Sequence, residues 1–327
     1  MTSSLHIFLT GGTGFFGRAL LRTWQAESYI GVPVPFVTVL SRSPDAFFEQ
    51  YPEFRDLPWL RLHRGDICNL DTLPHGIAYT HIVHAAADST LGPQLTPLQR
   101  YDQIVCGTRN LLDFAVACAA ERFLFISSGA VYGPQPTHLD QIPEDWKGMP
   151  NPLDPGNAYG VAKRSAEHLC ALYNRTHRLH TVIARCFAFI GEDLPLDAHF
   201  AIGNFILDAL RHDKIVVKGD GMPLRSYLDQ RDLAEWLFTM LQKGESGCAY
   251  NVGSDQGLSI AEIAHLVRDI VSPGKPVHIQ GDSCGNNGRN LYIPSIRRAK
   301  EELGLAVRIP LDAAIKATAE GAERRLN

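Results

Sequence analysis

The sequence predicts an α/β fold: a doubly wound parallel sheet wrapped by helices, with a smaller α/β lobe toward the C-terminus. Three observations predict it. Apolar segments with strand character recur through residues 5–186, each set off from the next by a connection or a helical stretch, the alternation that βαβ units require. The stretch FLTGGTGFFGRALL (8–21) passes from an apolar strand through closely spaced glycines straight into a helical pattern. Beyond about residue 186 the pattern loosens into loops and shorter helices.

In chain order the strand candidates are LHIFLT (5–10), FVTVL (36–40), WLRLH (59–63), THIVHAA (80–86), RFLFISS (122–128) and HTVIARC (180–186). Residues 101–120 and 158–174 carry apolar side chains at helical spacing with few breakers, which predicts the two longest helices. After GEDLPLDAHF (191–200), a loop rich in Pro and Asp, come a short helix, a turn at KGDGMP (218–223), and helices near 231–242, 259–270 and 295–304. The expected division is a first domain over 1–187, which also takes sheet strands from about 225–255, and an interleaved lobe over 188–327.

With 327 residues and 45% apolar content the chain can bury a large core. A net charge of −4 with interspersed signs offers no broad positive face to nucleic acid or anionic lipid, so neither partner is expected and a small molecule is. The N-terminus shows no secretory pattern and no apolar run is long enough to span a bilayer, so cytoplasmic residence is the expectation. Seven cysteines without a C-x-x-C pair read as reduced core residues, and no metal site is expected.

The glycine spacing needs a physical reason. A strand that turns at once into a helix aims backbone N–H groups and the positive helix end at one point, which suits a dinucleotide pyrophosphate. Gly11 would permit the tight turn, Gly14 the close approach of phosphate to backbone, and Gly17 the close packing of helix on sheet. Phe15 and Phe16 lie between the last two. The end of the second strand bears on which dinucleotide is held, since a carboxylate there suits a ribose hydroxyl and a cation suits a 2′-phosphate. VTVLSRSP places Ser41 and Arg42 there, favouring NADP(H), with NAD(H) as the alternative. Asp66 and Ile67 in RGDI are placed to flank the adenine, and Ala85, Ala86 and Ala87 keep the end of the fourth strand narrow. His63 and His84 read as structural.

Tyr159 and Lys163 stand four apart on a helix and so project from one face. An ammonium beside a phenol favours the phenolate, lowering a pKa that is about 10 in water and letting tyrosine trade protons near neutrality. Ser127 and Ser128 follow the fifth strand at the carboxyl edge, where open parallel sheets place their ligands. A hydroxyl there can bond both a phenol and a substrate oxygen.

Together the glycine turn, HAAA, ISSGAVYG, YGVAK, KGDGMPLRSYLDQRDLA and YNVGS resemble the extended short-chain dehydrogenase/reductase superfamily, in its nucleotide-sugar epimerase, dehydratase and reductase branch, over nearly the whole chain. The resemblance implies a Rossmann domain for NAD or NADP, a C-terminal lobe for a nucleoside-diphosphate sugar, and hydride exchange at a ring carbon, usually C4. By motif position it makes Tyr159 the acid/base, Lys163 its partner and Ser128 the hydroxyl residue, with Tyr159 and Lys163 also on the cofactor. It assigns Arg225, Arg289 and Asn204 to the substrate, the guanidinium groups suiting its diphosphate.

Members that dehydrate the sugar typically carry Asp-Glu after the hydroxyl residue, and decarboxylating members commonly keep the glutamate. Here Gly129 and Ala130 stand there, and neither moves a proton. What remains is NADPH-dependent reduction of a 4-keto-6-deoxy sugar, toward which Arg42 tips the reading, or 4-epimerisation with the cofactor unconsumed. A dinucleotide-sensing module without catalysis is the competing class. Two departures stand out: Ile104 and Ala188 where the family often has Asn. Asp193, Asp197 and His199 read as solvated loop residues, and the two long helices, with Leu169, Leu172 and Tyr173, suggest a homodimer.

Overall fold

A computed structural model describes residues 5–87, 95–198, 200–281 and 290–326. Seven strands form the central parallel sheet: β1 (His6–Thr10), β2 (Phe36–Ser41), β3 (Leu60–Arg64), β4 (His81–His84), β5 (Arg122–Ser128), β6 (His180–Cys186) and β7 (Ala249–Val252). Their order is β7-β6-β5-β4-β1-β2-β3. The chain lays β2 and β3 on one side of β1 and then returns to place β4 on the other, so the order reverses between β1 and β4. At such a point the connections diverge and leave a crevice at the carboxyl ends of the strands. Both faces of the sheet are covered, which is why β1 buries four consecutive residues instead of alternating.

Register lines up the carboxyl ends. Thr10 pairs with Leu40 on β2 and His84 on β4, and Ser41 pairs with Arg64 on β3. His84 pairs with Phe125, yet β5 runs on to Ser128, carrying its two serines beyond that line.

By internal contacts the chain forms two units, one of residues 1–131, 149–185 and 234–250 and the other of 132–148, 186–233 and 251–327. In the first, α1 (Phe15–Tyr29) and α2 (Pro44–Gln50) link the early strands, and α3 (Pro97–Ala117) packs along α4 (Ala158–His177). Helix α3 begins four residues before the expected 101 because Thr96 and Gln99 form a reciprocal capping box with Pro97 in the first turn. The core here gathers Phe8, Ile82, Leu111, Phe123, Ala162 and Cys170.

The second unit holds α5 (Ala201–Arg211). Helix α6 (Gln230–Lys243) starts here and continues into the first unit, and α7 (Ile260–Val271), α8 (Arg297–Leu303) and α9 (Leu311–Leu326) follow. Buried Asp232 accepts from the N–H groups of Arg308 and Ile309, fixing the approach to α9. Helix α9, absent from the sequence expectation, packs on α7 and α5. Fully buried Asn251, in the YNVGS motif, accepts from the Tyr132 hydroxyl and donates to the carbonyls of Ile142 and Ser295.

Two expectations need correcting. Cys170 and Cys186 are buried, but Cys68 and Cys106 are exposed and Cys118 and Cys248 lie between; Cys284 falls outside the described residues. Asp193 is not a solvated loop residue: it is buried, its N–H donating to Gln230 Oε1 at 3.0 Å. His199 lies outside the described residues. Among those residues no helix is long and apolar enough to cross a membrane, and no group of three His, Cys, Asp or Glu side chains could hold a metal ion.

Candidate active site

The turn between β1 and α1 shows what each glycine does. Gly11 has φ +71°, and a Cβ there would stand 2.5 Å from the Ala85 carbonyl. At Gly17 a Cβ would fall on the backbone of Gly11 and Gly12, so this glycine lets α1 start directly on the turn that follows β1. Gly14 differs from both. It is the N-cap of α1 at φ −86°, open to any residue, and the nearest atom to a Cβ there is Gly11 O at 3.4 Å. Gly14 is exposed where it lines the crevice. Helix α1 has no side-chain N-cap and no acid in its first turn, so no side chain of its own offsets its positive end.

That crevice is a cleft of about 320 Å³. Of the residues the sequence assigned to a cofactor, Gly11, Gly14, Phe15, Phe16, Ser41, Arg42, Asp66, Ile67, Ala85, Ala86 and Ala87 line it, and Gly17, Tyr159 and Lys163 are not among its lining. Thr10, Thr13, Leu40, Gly65 and Gln103 line it too and had not been expected. A backbone cradle, a helix N-terminus with no acid of its own and one guanidinium fit an elongated dinucleotide with its pyrophosphate at Gly14.

Behind the cleft wall a polar chain holds β1 to β4. Thr108 gives its proton to Ile104 O at 2.6 Å, so its oxygen accepts from His84 Nε2 at 3.1 Å; His84 Nδ1 then accepts from the Thr10 hydroxyl at 2.9 Å. Thr10 in turn accepts from Ala86 N. Burial, and next the Lys163 charge, hold the His84 imidazole well below its ordinary pKa, so it is neutral and structural. Ile104 itself sits in the core.

Helix α4 is fastened to the end of β5 at successive turns. A Cβ on Gly160 would meet Ala130 O at 2.7 Å, Lys163 Nζ donates to Ile126 O at 2.7 Å, and Arg164 donates to Val131 O at 3.0 Å. One turn beyond Lys163, buried Glu167 accepts from Ser127 Oγ at 2.6 Å and pairs with Arg185 on β6 at 2.8 Å. These ties bring the helix face bearing Tyr159 and Lys163 against the segment bearing Ser128. They also separate the two serines: Ser127 spends its proton on Glu167, whereas Ser128 Oγ accepts from Ala130 N at 3.2 Å and, among the described residues, gives its proton to no side chain or carbonyl.

The Lys163 ammonium is buried, 4.7 Å from the Phe125 ring centroid and 6.0 Å from that of Tyr159. Arg100, from α3, stacks on the Tyr159 ring at 5.2 Å, a second cation that no local sequence signal announces. The Tyr159 ring therefore has two positive groups near it, from two helices.

In the second unit Arg225 donates to Leu224 O, Asn290 O and Asn290 Oδ1, and burial lowers its pKa. Neighbouring Tyr227 has its phenol pushed up to about 12 by burial. Asn204 is on the first turn of α5. Arg289 lies outside the described residues.

A parallel sheet with a glycine-turn cleft at its switch point, and a Tyr-Lys helix pressed against a hydroxyl-bearing strand end, defines a Rossmann-type short-chain oxidoreductase of the extended kind. The model of the NAD dependent epimerase/dehydratase family matches residues 7–253, and the chain belongs to that family. It is similar to UDP-glucuronic acid decarboxylase 1 of Arabidopsis thaliana, 28% identical over 312 residues, which cover 94% of this chain and 67% of that one. Among solved structures it is similar to RMD from Pseudomonas aeruginosa complexed with NADPH, with TM-score 0.79, 25% identity and coverage of 98% and 100% of the two chains. It is also similar to the dTDP-glucose 4,6-dehydratase DesIV of Streptomyces venezuelae with NAD bound, with TM-score 0.82, 24% identity and coverage of 98% and 97%. The chain is an enzyme of a family acting on nucleotide sugars with an NAD(P) cofactor.

Proposed function

We propose that this enzyme carries out oxidation–reduction at one ring carbon, C4, of a nucleoside-diphosphate sugar, and that with NADPH it reduces a 4-keto-6-deoxy sugar. One observation carries the single-carbon part. Among the described residues, Tyr159 and Ser128 are the groups at the end of β5 offered for proton transfer to a substrate: Gly129 and Ala130 follow, and the carboxylate that α4 brings to this strand, Glu167, is committed to Ser127 and Arg185. Elimination or loss of a carboxyl group asks for a further acid or base there.

When bound, the dinucleotide supplies or accepts the hydride. The chain's own residues handle the proton and the charge. Tyr159 holds the proton that the sugar oxygen gains on reduction, Ser128 hydrogen-bonds the same oxygen, and Lys163 and Arg100 keep positive charge beside the ring on which phenolate forms. Gly11, Gly14, Phe15 and Phe16 would hold the pyrophosphate, with Gly17 letting the helix start close enough to do so. Ala85, Ala86 and Ala87 would flank the dinucleotide, and Asp66 and Ile67 its adenine.

Preference for NADP(H) rests on Arg42 in the cleft wall and on Ser41 where a carboxylate would favour NAD. The NADPH-bound relative supports it. A nucleotide-sugar substrate is supported by the decarboxylases' names, and Arg225, Asn204 and Arg289 are the proposed contacts of the second unit to its diphosphate. A homodimer through α3 and α4 is supported by Leu98, Val116 and Leu172, apolar residues those helices leave exposed.

The second reading, 4-epimerisation with the cofactor unchanged, draws on the family description. Incubation with a nucleotide 4-keto-6-deoxy sugar and NADPH tests the first: absorbance at the nicotinamide band should fall in step with product. A nucleotide hexose converted to its 4-epimer without absorbance change establishes the second instead. Release of carbon dioxide from a nucleotide uronate would contradict both.

A further inference from the structure

Two thiols that the sequence reading placed in the core stand exposed at the rim of the cofactor cleft. Cys68 follows Ile67 in the turn after β3, and Cys106 precedes Gly107 on α3. Turn and helix touch between them: a Cβ on Gly107 would lie 3.6 Å from Ile67 Cβ, and Asn110 Nδ2 donates to Ile67 O at 2.9 Å. Cys68 and Cys106 are the chain neighbours of that contact, so the turn carrying one thiol and the helix carrying the other approach backbone to backbone, and a disulfide between them would have to bring their Cβ atoms to roughly 3.5–4.5 Å. The two thiols lie close enough to sense each other electrostatically, with Asp66 and Arg42 also acting on Cys68. Both flank cleft residues: Asp66 and Ile67 line it on one side and Gln103, one turn before Cys106, on the other.

We propose that Cys68 and Cys106 form a reversible disulfide that controls entry of the dinucleotide. The chemistry is thiol–disulfide exchange with a small-molecule disulfide such as oxidised glutathione. The thiolate of one cysteine attacks it, its S–S bond breaks, and one glutathione leaves as thiolate and takes up a proton. The second cysteine then attacks the mixed disulfide, the protein S–S bond forms and the second glutathione departs, so two protein thiols are oxidised as one disulfide is reduced. Partial burial and the Asp66 carboxylate raise the Cys68 pKa, which makes the exchange slow at neutral pH. Drawing the Ile67–Cys68 turn toward α3 narrows the groove between Ile67 and Gln103. Cofactor affinity falls as a result. By reciprocity, bound cofactor opposes the cross-link.

The gating role rests on the dinucleotide site proposed above; the cross-link does not. Full-length protein, purified reduced, is treated with oxidised glutathione at about pH 8.5, mapped by mass spectrometry without reduction, and titrated with NADPH and NAD. The expected result is a Cys68 peptide joined to the Cys106 peptide, an affinity lower by at least about tenfold and restored by dithiothreitol, and slower cross-linking with NADPH present. Cys68→Ser should bind cofactor like the reduced chain and ignore the oxidant. Glutathione adducts alone, another pairing, or a cross-link that leaves affinity unchanged would overturn the proposal. A reduced chain that binds neither dinucleotide overturns the gating role together with the cofactor reading, and the peptide map still decides the thiol pair.

Discussion

Replacing Gly14 with valine separates what the cleft needs from what the fold needs. The backbone at Gly14, φ −86° and ψ −177°, is ordinary for an L-residue, and the nearest atom to a new Cβ is Gly11 O at 3.4 Å. The remaining cost to folding is a β-branched side chain at an N-cap, about 1 kcal/mol. Toward the cleft the same three carbons occupy the surface on which a pyrophosphate would lie. Holding phosphate oxygens off two backbone N–H groups removes two charge-assisted hydrogen bonds of roughly 1.5–3 kcal/mol each, so affinity should fall by about 10²–10⁴-fold. Calorimetric titration with NADPH and NAD, beside a thermal melt, reads both quantities. Gly17→Ala makes the contrast: its Cβ would stand 2.5 Å from Gly11 O, so the melt should move first. A folded Gly14→Val chain binding dinucleotide as tightly as the native one would refute the assignment of this turn.

Other consequences follow from named contacts. Tyr159→Phe should lose about 10²–10⁴-fold in turnover while keeping cofactor affinity, whereas a sensing module would be indifferent to it in any functional readout. Arg42→Ala should weaken NADPH by roughly tenfold or more, one charge-assisted contact, and leave NAD unchanged; equal loss for both would remove the case for a 2′-phosphate. His84 is held neutral in the folded chain, with its pKa far below the ordinary 6.5, so its contribution is fully present above pH 6.5 and is lost as pH falls and the unfolded chain takes up the proton. Between pH 7.5 and 5.5 that loss approaches about 1.4 kcal/mol. Urea unfolding should show this slope in the native chain and its absence in His84→Asn, and parallel curves would disprove it.

Most of the sheet was legible because each strand is an apolar run bounded by breakers. β5 and β6 occupy the expected residues, since RFLFISS and HTVIARC are buried on both faces and leave no ambiguity of length. Legible too was the cleft, because the glycine spacing encodes a backbone shape and the ends of β1 and β4 flank the switch point, with the ends of β2 and β3 beside them. What escaped depends on distance in the chain. Arg100 reaches Tyr159 from another helix, and α9 docks on α7 and α5 after a turn that Asp232 fixes, contacts that no local pattern records. Two misses had local signals. Thr96, Pro97 and Gln99 spell a capping box, and Cys106 falls at helical spacing with exposed Asp102 and Arg109, on the solvent face of α3. Apolar neighbours in sequence concealed that face.

The central claim, that one phenol and one hydroxyl serve a single ring carbon, is tested most directly by running the reaction in deuterated water and weighing the isolated nucleotide-sugar product. A proton passing only between Tyr159 and a sugar oxygen exchanges away on return to ordinary water, so the product should carry no carbon-bound deuterium. Deuterium fixed to a sugar carbon would show that a carbon acid is made or broken at this site, and the account would fail.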